Sequence, residues 1–93
     1  MNINTVTAPD ELCSSTSRAW KDRVAQSIAD QMEASIDLSN TRFIDSSGLG
    51  VLLSLNKALR ARGGVLKLFN PSAAVSQLIE LTRLHRVFDI IHA

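Results

Sequence analysis

Between Phe43 and Leu53 the chain reads FIDSSGLGVLL, so one carboxylate, Asp45, stands directly before two hydroxyls, Ser46 and Ser47, and a glycine, Gly48. An aspartate or serine at a helix entrance accepts hydrogen bonds from the free N–H groups of the first turn, worth about 1 kcal/mol over alanine. One cap meets that need, and three consecutive polar residues exceed it. Helix N-termini also favour added negative charge, through their free amides and the macrodipole. A phosphoryl group on Ser46 is therefore compatible with the fold, yet it adds about −1.5 to −2 charges beside Asp45. A partner docked there through close, partly apolar contact would be expelled. The chemistry expected is a switch in which the scaffold stays and the interface changes.

The elements that must hold this junction follow from periodicity. Ile3 and Val6 predict a short strand that stops near Pro9, with Leu12 continuing it, and Ser14, Ser15 and Thr16 supply helix caps. Ala19, Trp20, Val24, Ile28 and Met32 recur at helical spacing, opposite Lys21, Asp22 and Arg23, which predicts an amphipathic helix to about Gln31. ASIDL (34–38) alternates as a strand, SNT (39–41) is turn chemistry, and 42–44 extend or resume the strand. A second helix is expected over 47–62. At 100° steps Gly48, Leu52, Leu55 and Leu59 share its buried stripe, flanked by Leu49 and Val51. Gly63-Gly64 ends it.

VLKLF (65–69) predicts a strand, and NPS (70–72) opens a third helix with Ala74, Val75, Leu78, Ile79 and Leu81 on its buried side. VFDII (87–91) predicts a last strand. The order β-α-β-α-β-α-β implies an α/β domain over 1–93, a small mixed, mostly parallel sheet with helices packed against it. Asp45 and Ser46 then fall at the carboxyl end of a strand, where open α/β sheets place their sites. Gly48 serves close packing, whereas Gly50 faces outward near Ser54 and Lys57, where a second backbone can approach. Leu53 lies on the same outer half. It serves equally well as a contact to the neighbouring helix or as a partner anchor.

Composition narrows the function classes. The net charge is +1 and 45% of the 93 residues are hydrophobic, so nothing forces a nucleic-acid or membrane reading. The basic residues Lys57, Arg60, Arg62, Lys67, Arg83 and Arg86 read as solvated helix faces, without interleaved aromatics. The single cysteine, Cys13, excludes an intramolecular disulfide and cannot build a zinc site alone. No apolar run approaches the ~20 residues of a membrane helix, and MNINTVTAPDE is no secretory signal. A cytoplasmic chain is expected.

The stretch from Ile36 to Ile91, with IDLS, DSSGLG, the GG stop and the NPS helix in order and at the right spacing, resembles the STAS domain of bacterial anti-sigma factor antagonists. The resemblance implies a non-enzymatic partner switch. The serine after the motif's aspartate, here Ser46, would be phosphorylated by an anti-sigma factor that is itself an ATP-using serine kinase. The unphosphorylated form would bind that kinase and release the sigma factor, and a metal-dependent serine phosphatase would reset the switch. Mg²⁺ and ATP would belong to the kinase, so no cofactor is expected of this chain. The partner-facing residues would be Asp45, Ser46, Ser47 and Gly48, with Gly50 and Leu53 beside them. One departure stands out: where the family has G-E-L-D, this chain has DELC (10–13), so Cys13 replaces an acid. No basic residue flanks Cys13 to activate it as a redox sensor.

Three rivals compete. A hydrolase would combine Ser46 with His85, Asp89 and His92, but Ile44 stands where a nucleophile elbow needs glycine. A phosphate-binding loop at SSGLG lacks both glycine-rich signatures. STAS domains also act as docking subunits, without phosphorylation, of lipid-transport ATPases or larger signalling complexes.

Overall fold

Strands whose apolar residues alternate with polar ones, separated by amphipathic helices, can bury their hydrophobic sides only by layering helices on a sheet. The computed structural model describes residues 5–92 and shows this arrangement; Ile3 lies outside the described residues. In chain order the elements are β1 (Thr5–Thr7), β2 (Glu11–Leu12), α1 (Ser17–Ser27), β3 (Glu33–Asp37), β4 (Phe43–Ile44), α2 (Ser46–Ala61), β5 (Val65–Phe69), α3 (Ala73–Leu81), a 3₁₀ turn (Leu84–Arg86) and β6 (Asp89–Ile91).

The main sheet runs β1-β3-β5-β6, and every pairing among the described residues is parallel. Its order follows the chain, so right-handed crossovers carry successive helices over the same face. Burial agrees. In β5, Leu66 and Leu68 are fully buried, while Val65, Lys67 and Phe69 remain half-exposed. The outer face carries a polar row, Thr5–Ser35–Lys67–Asp89, and a Lys67–Glu33 ion pair at 2.6 Å. That hydrogen-bonded pairing raises the Lys67 ammonium above its ordinary value. The core lies between the inner face and the helices, built on Leu12, Ile36, Leu38, Leu52, Leu59, Leu66, Leu68, Val75 and Ile79.

Several boundaries differ from the periodic pattern. α1 ends at Ser27 with Ile28 as its cap, and Met32 is 53% exposed just before β3 rather than on a buried stripe. Ala19 is exposed too, because Ser17, Trp20 and Val24 already form the inward line. In α3, Val75 and Ile79 face the core, whereas Ala74 and Leu81 are exposed. Leu81 lies two residues past Ile79, some 200° around the helix. The last strand starts at Asp89, not Val87, because Arg83 takes a left-handed φ of 61° and a 3₁₀ turn follows. Phe88 leaves that turn buried in the core.

Residues 43–44 resume as a separate strand. β4 pairs in parallel with β2, Glu11 opposite Phe43 and Leu12 opposite Ile44, in a second, two-stranded sheet. α2 lies across that sheet so closely that a Cβ on Gly48 would fall 2.1 Å from the Leu12 carbonyl oxygen. At Gly50 an added Cβ meets nothing within 4 Å. At the other end, Gly63 adopts φ 81° and stops the helix as the GG pair predicts.

These two glycines predict opposite outcomes. Gly48→Ala should cost about 2–3 kcal/mol, since backbone must shift. Gly50→Ala should leave stability unchanged or raise it by up to about 0.5 kcal/mol. Urea unfolding midpoints at constant m-value measure both.

Candidate functional site

The site is assembled from segments about thirty residues apart in sequence. Arg42 donates two hydrogen bonds of 2.6 Å to the Asp10 carboxylate, and the backbone N–H of Arg42 and of Phe43 both reach the Asp10 carbonyl. The guanidinium holds the Asp10 carboxyl below its ordinary value through those side-chain hydrogen bonds, and its own proton is held more tightly in return. Thr41, fully buried, donates its hydroxyl to the Pro9 carbonyl at 2.8 Å. These contacts clamp β2 to β4, and the Asp45 N–H then donates to the Leu12 carbonyl at 3.3 Å.

Asp45 is the N-cap of α2. Its Oδ1 accepts from the Ser47 N–H at 2.9 Å and the Gly48 N–H at 3.1 Å, while Oδ2 accepts from the Ser14 N–H at 3.3 Å. One carboxylate therefore closes its own helix and ties in the loop before α1. Asp45, not Ser46, does the capping. Ser46 becomes the first helical residue, one position earlier than the periodicity suggests, and both Ser46 and Ser47 are exposed. No hydrogen bond engages the Ser46 hydroxyl among the described residues. The Ser47 and Gly48 amides already hold a carboxylate, so two of the donors that a phosphate-binding loop would offer are taken.

The other expected site residues divide. Gly50 is exposed, on open space. Gly48 is buried and packs on β2, so its part is to seat the helix. Leu53 is partly buried against the core, which favours a packing contact over a free anchor. Phe43, 50% exposed and two residues before Asp45, is an apolar surface group that periodicity does not single out. Its signal is the two-residue strand: with Ile44 turned inward, Phe43 must turn outward.

Cys13 lies in the loop that Asp45 ties down. Its sulfur is 3.2 Å from the Ser15 hydroxyl and 3.7 Å from that of Thr16. These hydrogen bonds, Ser15 first, pull the thiol below its ordinary value. Ser15 is the effective donor, because the Thr16 proton is committed to the Glu11 carbonyl at 2.7 Å. Activation without a basic neighbour thus comes from hydroxyls, a source already visible in the run CSST. His85, Asp89 and His92 line one groove of about 420 Å³ beside α3, and Ser46 is not part of its lining. The set that a hydrolase needs is therefore not assembled around Ser46. Among the described residues no group of three or more His, Cys, Asp or Glu side chains could hold a metal ion, and no helix is long and apolar enough to cross a membrane.

Two outcomes follow. Asp45→Ala should lose about 1 kcal/mol or somewhat more in chemical denaturation, whereas Ser46→Ala should stay within about 0.5 kcal/mol of wild type. Ser15→Ala should raise the Cys13 pKa, leaving less thiolate at pH 7.5. Alkylation by iodoacetamide should slow a few-fold at that pH and converge with wild type at high pH.

Comparison with known proteins places this geometry. The family model described as STAS domain matches residues 2–93. The anti-sigma-B factor antagonist of Listeria monocytogenes is 40% identical over 55 residues, which are 59% of this chain and 48% of that protein. Its counterpart from Bacillus subtilis is 38% identical over 55 residues, 59% of this chain and 50% of that protein. The matched segment thus spans about half the length of these curated relatives. Among solved structures, a putative anti-sigma factor antagonist from Thermotoga maritima superposes with a TM-score of 0.86 at 25% identity, covering 100% of this chain and 82% of the other. The anti-sigma factor antagonist SpoIIAA, in its unphosphorylated form, superposes with a TM-score of 0.81 over 96% of this chain and 77% of its own; at 22% identity that likeness is one of fold.

Proposed function

The chain belongs to the STAS-domain family, and from that premise we propose that it is an anti-sigma factor antagonist switched by phosphorylation of Ser46. The observation that carries the reading is the division of labour between two neighbours. Asp45 takes the capping role, which leaves the Ser46 hydroxyl exposed and unengaged on the first residue of α2. The names of the relatives support the partner class, an anti-sigma factor.

In the unphosphorylated state the partner, a kinase-type anti-sigma factor, sits over Ser46, Ser47 and the open backbone at Gly50, with Phe43 as an apolar contact at the rim. Its bound ATP gives up the γ-phosphoryl group to the Ser46 oxygen: the new P–O bond forms as the bond to ADP breaks, ADP leaves and the hydroxyl proton is released. The modified side chain keeps its place, since a helix N-terminus tolerates anionic charge. The partner does not, because a doubly charged group now lies beside the Asp45 carboxylate in an interface that must shed water. Loss of binding therefore needs no refolding. A metal-dependent serine phosphatase removes the group and restores docking.

The test joins chemistry to binding. Incubation with the candidate kinase and ATP, followed by site-localised mass spectrometry, should place one phosphoryl group on Ser46 and none on Ser46→Ala. Calorimetric titration should show Ser46→Ala binding within about three-fold of wild type and Ser46→Asp weakened at least about 100-fold, equivalent to about 2.7 kcal/mol. Thermal midpoints of the three should agree within a few degrees. An Asp variant that binds as tightly as wild type sinks the charge-exclusion mechanism. Binding without any phosphorylation would assign the chain to the docking-subunit class instead.

A further inference from the structure

The main sheet carries a second feature at one edge, apart from the Ser46 junction. β6 ends the strand order and pairs with β5 alone. The Asn70 N–H donates to the Ile91 carbonyl at 2.8 Å, which fixes the parity of that ladder. In a parallel ladder the backbone groups of successive residues point to opposite sides. Asp89 and Ile91 therefore turn theirs toward β5, and Ile90 turns its N–H and C=O away. No hydrogen bond engages either group among the described residues. An open edge of this kind is a template for a further strand.

So short a strand gives too little pairing to hold a guest by its backbone alone. An anchor lies beside it. The groove of about 420 Å³ between β6 and α3 is floored by Ile79, Phe88 and Ile90, the first two buried and the third half-exposed. Its acidic lining is Glu80 and Asp89, and no lysine or arginine borders it. Both carboxylates are exposed, and neither forms an ion pair among the described residues. Lys67, opposite Asp89 in the ladder, is taken by Glu33 at 2.6 Å. The open edge suits an extended backbone, the floor an apolar side chain, and the rim a positive charge. A second copy of β6 fits worse, because it would gather four carboxylates at one edge.

We propose that the β6 edge and its groove dock an extended, basic segment of a partner protein by strand addition. One guest residue exchanges hydrogen bonds with Ile90 and lays an apolar side chain on Ile79 and Phe88. Side chains alternate along a strand, so the guest's neighbouring lysines or arginines project to the other face, where Asp89 stands. Glu80 adds its charge from the rim. The site uses no residue of the Ser46 junction.

A ¹H–¹⁵N titration reads the docking at Ile90 itself. The probe is the end-blocked peptide Thr-Ser-Lys-Leu-Lys-Ser-Thr. It should move the Ile90 amide downfield, saturably, and slow its hydrogen exchange. Replacing the peptide's leucine by serine, or both its lysines by glutamates, should weaken binding at least about ten-fold in each case. The protein variant Glu80→Gln/Asp89→Asn, changed at two exposed positions, should lose about as much while keeping the wild-type urea midpoint. Ser46→Ala and Ser46→Asp should titrate like wild type, so failure here leaves the phosphorylation reading standing. An Ile90 amide unmoved by the peptide up to about 5 mM overturns the proposal. Equal affinity for the glutamate peptide overturns the basic guest. Dimers in sedimentation, with an Ile90 shift that follows protein concentration, overturn the partner protein in favour of a second copy.

Discussion

Everything at the Asp45–Gly48 junction depends on how closely α2 approaches the backbone of β2. The Leu12 carbonyl lies where a side chain at position 48 would have to be, and that same carbonyl accepts the Asp45 N–H. Leu12 is fully buried, so β2 cannot retreat from the contact. With the helix seated at this depth, one carboxylate spans its own first turn and the N–H of Ser14. A few tenths of an ångström more would break that bridge, and any residue larger than glycine would demand more.

The seating separates residues that hold the structure from neighbours left at the surface. Asp45 and Gly48 carry the structure: the first satisfies the helix and the second admits it to the core. Ser46 and Ser47, between them, make no side-chain hydrogen bond among the described residues and are exposed. Both point away from the packed atoms of α2, which lie on the opposite side of the helix. The two-stranded β2–β4 sheet makes this precise placement affordable in a small domain. It anchors the entrance of α2 independently of the main sheet, with the Asp10–Arg42 pair bracing it from the surface.

The likeness to the Thermotoga maritima structure, at 25% identity over the whole chain, fits the same picture. What the fold requires is a pattern of inward residues, a close approach at one glycine and a cap. Most side chains that meet those demands are interchangeable. Local chemistry then varies on a fixed frame, as at Cys13, where neighbouring hydroxyls rather than a cation shift the thiol.

The sequence alone determined the order of the main-sheet strands and the helices between them, the stop at Gly63, the buried stripe of α2 and the polar junction at Asp45 and Ser46, because each is written in residues close along the chain. Periodicity and turn chemistry are local, and local interactions survive without knowledge of the partner segment. It did not determine where α1 ends, that Ala19, Met32, Ala74 and Leu81 stay exposed, or that the last strand waits until Asp89. Those depend on which neighbour occupies each face. Nor could it show that Asp45 rather than Ser46 is the cap, that Leu53 leans on the core, or that Ser46 stands apart from the groove of His85 and Asp89. Tertiary structure decided these, since they depend on how α2 is seated against segments distant in the chain, among them the β2–β4 pair 32 residues apart. A pairing of only two residues a strand leaves no periodic trace, and its stability comes from the packing that surrounds it.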